Sequence, residues 1–296
     1  MGTIILGVFE EGFVYAIMSL GVYITYKILD FPDLSVDGTY PLGAALAAMM
    51  ISSGMNSLLA LPVCFIAGML AGCITGVIHV KLKVRDLLSG IIVSIALYSI
   101  NLRVAGGKSN LPIFSKETIF SNSFLTAAVP EAVKPYATVA ILFVIIMVCK
   151  VLLDLYLKTR SGYLLRAAGS NDILVTSLAK DKGSVKILGL ALANGFAALA
   201  GCIMCQKQGV FDVNMGTGTI VIGLANVIIG TQLFKNMSFI RATTAVIAGS
   251  VLYKACVAFA INNGMEPGDL KLVTAVLFLL ILVVSGMRKG KVKKHA

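Results

Sequence analysis

Apolar runs of about 20 residues recur along this 296-residue chain, and they limit the folds it can adopt. Runs of this length are typical of helices that cross a lipid bilayer. Hydrophobic residues make up 58% of the chain and charged residues only 13%, well below the roughly 25% charged residues of soluble domains. The runs are too long and alternate too poorly for the strands of a membrane barrel. We therefore predict an all-α, polytopic integral membrane protein.

The runs predict about nine transmembrane helices in a single domain covering residues 1–296. The predicted spans are residues 4–26, 39–54, 57–80, 86–103, 136–157, 185–206, 218–233, 238–262 and 270–287. The first basic residue, Lys27, follows the first run. A cleavable signal peptide carries its charge before the run, so we expect an uncleaved amino terminus on the outer side.

The net charge of +11 reflects membrane topology rather than nucleic-acid binding. Lysines and arginines cluster at the ends of apolar runs, mostly on one side of the predicted topology. Basic residues favour cytoplasmic loops, so that side is assigned to the cytoplasm. It holds the long loop 158–184 and a basic tail, 288–296, whereas the long loop 104–135 is extracytoplasmic.

Two predicted spans are short and follow polar, helix-breaking residues. They are DFPDLSVDGTYPLGAALA (30–47) and FDVNMGTGTIVIGLANVI (211–228). Aligning residues 38–45 with 218–225 matches Gly, Thr, Gly and the last Ala, and the two spans cross the membrane in opposite directions. Such a pair indicates an inverted repeat with a transport site near the membrane midplane. Chance similarity is the alternative, because Gly and Ala are abundant in this chain.

A helix break inside a membrane requires protein or water around it, since lipid cannot satisfy backbone hydrogen bonds. Asp33 and Asp37 lie either in a cytoplasmic loop or on an aqueous path, and Asn194 and Asn226 either join helices or line a pathway. The candidate translocation-path residues are Asp33, Ser35, Asp37, Gly38, Thr39, Gly43, Gly218, Thr219, Gly223 and Asn226.

Two further features have mainly structural interpretations. Gly68, Gly72 and Gly76 share one helix face, which predicts close packing against another helix. Lys254 lies within a span. We expect it to extend its ammonium group toward water, with pairing to a carboxylate as the alternative.

Several motifs do not support chemistry. GGKS (106–109) lacks the earlier glycine of a phosphate-binding loop. The Cys202 and Cys205 pair has no second pair and no nearby histidine, as a zinc site would need. No nucleophile, base and orienting group form a recognisable set. We expect no metal, no cofactor and no enzymatic activity in this chain.

The polar segment TRSGYLLRAAGSN (159–171) predicts a short amphipathic turn or helix, followed by a second helix over 172–180. Its framing residues are Arg160, Gly162, Leu165, Arg166, Gly169 and Asn171. Such a helix pair is a docking surface for a cytoplasmic partner, or alternatively a loop resting on anionic lipid.

This segment resembles the cytoplasmic coupling segment of permeases from ATP-binding cassette importers. The family includes branched-chain amino acid, ribose and nucleoside permeases, which show Thr-Arg, Gly, a Leu-Arg-Ala-like triplet, Gly and Asn. LSVDGTYPLGAALA (34–47) and GTGTIVIGLANVIIG (216–230) resemble the family's early segment and late short span. LDFPDLSVDGTYPLGA (29–44) and YSINLRVAGGKSN (98–110) are most similar to a bacterial subgroup implicated in uptake of aromatic amino acids, such as tryptophan or tyrosine.

The resemblance implies a bacterial cell-membrane importer built from two identical permease chains, with the path along their interface. Two cytoplasmic ATPase subunits would each receive one coupling segment, and an extracytoplasmic binding protein would deliver the ligand. Arg160 and Arg166 would contact the ATPase, and Gly162 and Gly169 would allow tight turns. Larger relatives have ten spans, so the first span would be missing here. A secondary transporter or channel that works without ATP is the alternative.

Overall fold

The computed structural model describes residues 2–122, 133–170, 182–235, 237, 239–264, 269, 272, 274–276, 278–280 and 283. Its α-helices are α1 Gly2–Val22, α2 Val36–Ser52, α3 Ala60–Val80, α4 Asp86–Val104, α5 Lys134–Tyr156, α6 Arg160–Ser170, α7 Lys182–Gln208, α8 Thr219–Leu233 and α9 Ala242–Asn262. A π-helix, Tyr23–Ile28, extends α1, and a 3₁₀ turn, Val213–Gly216, precedes α8. Two short strands, β1 Asn110–Pro112 and β2 Val210–Asp212, pair antiparallel.

The prediction of a polytopic all-α membrane protein is confirmed. Within the described residues, seven helical stretches are long and apolar enough to cross a membrane. They are Ile4–Ile28, Ala60–Val80, Asp86–Val104, Tyr136–Tyr156, Lys182–Gln208, Val213–Leu233 and Ala242–Asn262. Helix α2 has 17 residues and is shorter than these. Most of the predicted span 270–287 and the tail 288–296 lie outside the described residues, so the number nine stays a prediction.

Helix α7 is the element around which the first three helices pack. Its 27 residues extend about 40 Å at 1.5 Å per residue, and it packs against α1, α2 and α3. Gly68, Gly72 and Gly76 all meet α7, and a Cβ on Gly72 would overlap the Leu190 carbonyl oxygen. The packing interpretation of this glycine stripe is therefore confirmed. Along the stripe the α7 partners run from Asn194 back to Ile187, so the two helices are antiparallel.

Helix α2 approaches α7 just as closely, through glycines on both helices. A Cβ on Gly43 would overlap the Ala198 carbonyl oxygen, and one on Gly201 would overlap the Tyr40 carbonyl oxygen. Small residues let helix backbones gain dispersion contacts in lipid, where the hydrophobic effect does not drive helices together. The contact fixes the position of the short helix α2 relative to the long helix α7.

Partly buried ion pairs connect α1 with α7 and α9. Lys254 of α9 lies 2.9 Å from the Glu11 carboxylate and 4.0 Å above the Tyr15 ring. The expectation that Lys254 extends toward water was therefore wrong. Helices α1 and α9 pack together, which places Glu11 within reach, and an intramembrane charge is stabilised by such a partner. Glu10 pairs with Lys207 of α7 at 3.0 Å.

The predicted outer loop 104–135 forms part of the small sheet. Asn110 pairs with Asp212 and Pro112 with Val210, which ties the residues after α4 to those before α8. GGKS begins with Gly106 and Gly107, both at positive φ, directly after α4. The motif thus ends a helix and leads into a strand, the reverse of the strand-to-helix order of a phosphate-binding loop.

Substituting Gly43 by Ala should lower the stability of the fold. The added methyl group would overlap the Ala198 carbonyl, and overpacking typically costs about 1–3 kcal/mol. Gly7→Ala is the matched control, because a Cβ there meets nothing within 4 Å. Thermal unfolding of the two purified variants in detergent measures the difference. Equal midpoints for Gly43→Ala and wild type would contradict the close α2–α7 contact.

Candidate functional site

The two short helices begin where the membrane-crossing backbone is interrupted. Helix α2 starts at Val36, after the non-helical segment 29–35, in which Asp30 has a φ of 53°. Helix α8 starts at Thr219, and Gly218 before it has a φ of 81°, which glycine adopts without strain. Helix α8 has 15 residues, about 22 Å, which is less than the roughly 30 Å hydrocarbon core. Both helices are therefore too short to cross the hydrocarbon core without the segments that precede them.

Asp37 joins the two interruptions directly. Its carboxylate accepts hydrogen bonds from the Gly218 amide at 3.2 Å, the Ile220 amide at 2.8 Å and the Thr219 hydroxyl at 3.0 Å. These groups form the first turn of α8, so Asp37 caps a helix that begins far along the chain. A carboxylate at this position satisfies amides that have no partner within the helix and interacts favourably with its dipole.

Asp33 connects the start of α2 with α7 through a buried network. The Asn194 amide donates to the Asp33 carboxylate at 2.7 Å. The Thr39 hydroxyl donates to the Asn194 side-chain oxygen at 2.7 Å. Ser35 donates to Asp33 through its hydroxyl and its backbone amide. Asp33 has no exposed surface in the structure. Of the two alternatives for Asn194, the structure therefore shows helix joining.

Three other predicted path residues lie in helix contacts. Gly43 meets α7, and Gly223 meets Val22 and Met18 of α1. Asn226 donates to the hydroxyls of Ser19 and Ser250, at 2.9 and 3.2 Å, and so connects α8 with α1 and α9. All three are buried. None of the three lines the cavity described next, and their assignment to a translocation path stays a prediction.

A cavity of about 370 Å³ lies between α2, α4 and the 3₁₀ turn. Asp37 and Gly38 line it, and their assignment to a translocation path stays a prediction. The sequence interpretation missed the lining residues Ser94, Tyr98, Ser99, Asn101, Asn214 and Thr217. Three of these, at 94, 98 and 101, are spaced by four and three residues on α4. A polar stripe of that helical period in an apolar span is a signal that the sequence carries.

The predicted coupling segment begins as a helix, α6. Arg160 and Arg166 are exposed. Leu165 is fully buried and contacts Gly189 of α7. Leu29 contacts the same glycine. The prediction of a short amphipathic helix is therefore confirmed for Arg160–Ser170. Asn171 and the predicted second helix, 172–180, lie outside the described residues.

The two glycines of α6 have different surroundings. Gly162 lies in the first turn of α6 and packs against Tyr156 and Leu157, where the chain leaves α5. Gly169 lies inside α6, and a Cβ there would overlap the Ile28 carbonyl oxygen at the end of the π-helix. The expectation that Gly169 forms a turn was wrong. Its small size instead lets α6 approach the backbone that leads to Asp33.

Clusters of metal-ligating side chains are absent from the part of the chain that the structure describes. No group of three or more His, Cys, Asp or Glu side chains there is arranged to hold a metal ion. Cys202 and Cys205 are buried thiols on α7.

Comparison with known proteins identifies relatives along the whole chain. The family described as "Branched-chain amino acid transport system / permease component" matches residues 4–285. The "Tyrosine transport system permease protein" of Clostridioides difficile is 43% identical over 292 residues, covering 99% of this chain and 95% of the relative. The ribose import permease proteins of Haemophilus influenzae and Escherichia coli K12 are 24% and 23% identical, covering 98% and 95% of this chain and 86% and 85% of the relatives. No solved structure matches the chain significantly.

The Asp33–Asn194 contact should show as energetic coupling in a double-mutant cycle. Asp33→Ala removes the buried carboxylate, and Asn194→Ala removes the amide that donates to it. A hydrogen bond to a charged group is worth about 1.5–3 kcal/mol. The double variant should lose less than the sum, with a coupling of about 0.5–3 kcal/mol. Unfolding by SDS in mixed micelles, followed by circular dichroism, measures each free energy. As a control, Asn194→Ala is combined with Asn263→Ala. Asn263 shares no hydrogen-bond partner with Asn194, so the two losses of unfolding free energy should add. Additive losses in the Asp33–Asn194 cycle would contradict the network.

Proposed function

Because the chain belongs to the family of permease components of branched-chain amino acid transport systems, we propose that it is the membrane subunit of an ATP-binding cassette importer for an amino acid. It is a multi-pass protein of the bacterial cell membrane. The observation that carries the proposal is helix α6, whose buried side rests on the π-helix while its arginines stay exposed. ATP hydrolysis belongs, in this proposal, to a separate ATPase chain.

The relatives favour an amino acid over a sugar as the cargo. The relative named for tyrosine transport is 43% identical, whereas those named for ribose are 24% and 23% identical. Aromatic amino acids are the leading candidates within the class. An extracytoplasmic binding protein would deliver the ligand to the end of the molecule that carries the β1–β2 sheet. Most of the selectivity would reside in that partner.

Helix α6 supports the coupling role through its two faces. Leu165 and Ala168 are buried against the membrane domain, while Arg160, Tyr163 and Arg166 are exposed. Arginine presents a planar set of donors that suits carboxylates on a partner. An ATPase groove with acidic side chains would therefore hold this helix at its exposed face. Asn171, in the same segment, is expected to extend the contact.

A continuous set of contacts leads from α6 to both helix interruptions. Gly169 touches Ile28 at the end of the π-helix, and the chain then continues through 29–35 to Asp33. Asp33 is bound to α7 and Asp37 to α8. The π-helix is rare and often marks a functional site. We expect ATPase closure to displace α6 and to move the start of α2 between two discrete arrangements.

The path itself would run between two copies of this chain surrounded by lipid. Helix α4 exposes an apolar face that includes Leu88, Ile92 and Ile95. The polar cavity at Asp37 lies beside that face, since Ile95 borders both. A second copy packed against α4 would place two such cavities along one shared interface. The residues that hold Asp37 in position would be Ser35, Gly38, Thr39, Gly218 and Thr219.

Purification from native membranes in mild detergent tests the proposal as a whole. An ATPase subunit should accompany the wild-type chain in stoichiometric amount, and it should be lost when Arg160 and Arg166 are both changed to Glu. Arg103 is exposed in the last turn of α4 and is not part of α6. The ATPase subunit should therefore still co-purify with the Arg103→Glu variant. A chain that purifies alone under all gentle conditions, with uptake independent of ATP, would favour a secondary transporter.

Arg166→Glu alone should abolish ATP-coupled uptake while the fold remains intact. The side chain is exposed, so reversal of its charge removes a partner contact without opening the core. Uptake by proteoliposomes containing permease, ATPase and binding protein provides the measurement, and thermal unfolding of the purified variant in detergent checks that the fold is intact. Wild-type uptake in Arg166→Glu would rule out a charged coupling contact at this position.

Gly169→Ala should uncouple hydrolysis from transport. The methyl group would push α6 away from the Ile28 carbonyl, while the exposed arginines could still bind the ATPase. We expect uptake to fall at least about tenfold, which corresponds to about 1.4 kcal/mol, with ATPase subunits still bound and hydrolysing ATP. Parallel loss of ATPase binding would instead indicate that the substitution distorts α6 itself. Full uptake in this variant would show that the α6–π-helix contact is dispensable.

A further inference from the structure

The cavity between α2 and α4 is lined by both polar and apolar side chains around the carboxylate of Asp37. Its volume of about 370 Å³ lies within the usual range of small-molecule pockets. Polar side chains from α4 face Asp37 across it, and no Lys or Arg is found among the described residues that line it. The apolar part of the lining consists of Pro41, Ile95 and Val213.

Asn101 provides an observation that points to a missing ligand. Its side chain has no exposed surface, and its amide nitrogen donates to the Gly38 carbonyl at 3.1 Å. Its side-chain oxygen is buried and has no hydrogen-bond partner among the described residues. An unsatisfied buried acceptor costs free energy, and native structures rarely leave one without a function or a ligand. A donor supplied from the cavity would satisfy it.

Asp37 supplies a negative charge beside that acceptor. Asn101 donates to the backbone of Gly38, the immediate neighbour of Asp37 in the chain, and all three residues line the cavity. Asp37 is half-buried, and the groups of α8 that bond to it are neutral. The helix dipole offsets part of its charge, but no cationic side chain of the described lining neutralises it.

We propose that this cavity binds the primary ammonium group of the amino acid during its passage through the permease. The ammonium has three N–H donors, which suit the Asp37 carboxylate, the Asn101 side-chain oxygen and the Ser94 hydroxyl. Tyr98, about half exposed at the cavity, provides an aromatic surface for the cation or for an aromatic side chain. The proposal rests on the proposed function and adds a substrate contact within the membrane subunit.

Direct binding to the permease–ATPase complex, without the binding protein, tests the site. The complex is placed in nanodiscs of phosphatidylglycerol, and saturable binding of radiolabelled L-tyrosine is measured by scintillation proximity. Unlabelled L-tyrosine should displace the label, whereas 3-(4-hydroxyphenyl)propanoate, which lacks the amino group, should not. Displacement by both compounds equally would overturn the proposal, because recognition would then not involve the ammonium.

Variants locate the binding in the cavity. Asp37→Asn and Asn101→Leu should each weaken L-tyrosine binding at least about tenfold, equivalent to about 1.4 kcal/mol. Because both residues also support the fold, Ser94→Val serves as a milder variant and should weaken binding severalfold. Arg103→Glu, which lies outside the cavity lining, should bind as wild type. Unchanged binding in Ser94→Val and in every folded variant at positions 37 and 101 would overturn the assignment.

A lipid headgroup is distinguished from the amino acid by a change of bilayer. Nanodiscs containing phosphatidylethanolamine offer a competing primary ammonium, and loss of L-tyrosine binding there would assign the cavity to the lipid instead. Uptake by the complete transporter is measured in parallel. If L-tyrosine binding does not depend on the amino group while amino acid uptake is normal, only the assignment of the cavity is overturned. Absence of any amino acid uptake overturns the proposed function, and the ammonium site with it.

Discussion

The hydrogen bonds from the first turn of α8 to the Asp37 carboxylate make two interrupted helices possible inside a membrane. Lipid cannot bind the free amides of a helix end, so each interruption needs a partner from the protein. Asp37 supplies that partner for α8 from within the first turn of α2. The two helix beginnings are thereby held together, and the cavity forms beside the shared contact.

The start of α2 is held on a second side by Asn194. Asp33 and Thr39 both bond to this one side chain of α7, and the glycine contacts at Gly43 and Gly201 continue the attachment along the helix. Helix α2 therefore lies between α7 and α8 with polar contacts at its beginning and backbone contacts further along. Packed elements of this kind move as units between discrete arrangements, which suits a transporter that alternates between two states.

Charge is distributed in the molecule according to two different needs. Glu10–Lys207 and Glu11–Lys254 are pairs within the helix bundle, where an unpaired charge is costly. The opposite end of the bundle carries exposed basic groups between α3 and α4, namely Lys81, Lys83 and Arg85. On the predicted topology these groups would lie on the cytoplasmic side, where positive charge is preferred, and in the proposed importer the arginines of α6 would present the same charge to the ATPase.

The sequence by itself determined the class of fold, because apolar runs of membrane length leave few alternatives. It also located both helix interruptions and the amphipathic helix α6, because these depend on local signals: Gly, Pro and polar residues that break an apolar run, and apolar spacing within a polar segment. The Gly68 stripe likewise predicted a close helix contact. Each of these properties is set by neighbours in the chain, so periodicity and composition are sufficient to predict it.

Only the tertiary structure decided which polar groups meet. Asp37 and Thr219 are 182 positions apart, and Asp33 and Asn194 are 161 apart, and no local pattern specifies such partners. The expectation for Lys254 was wrong for the same reason, since its pairing with Glu11 depends on how α1 packs against α9. The role of Gly169 and the α4 side of the cavity also required the packed helices. A side chain's partner is determined by three-dimensional proximity, which the spacing along one helix cannot supply.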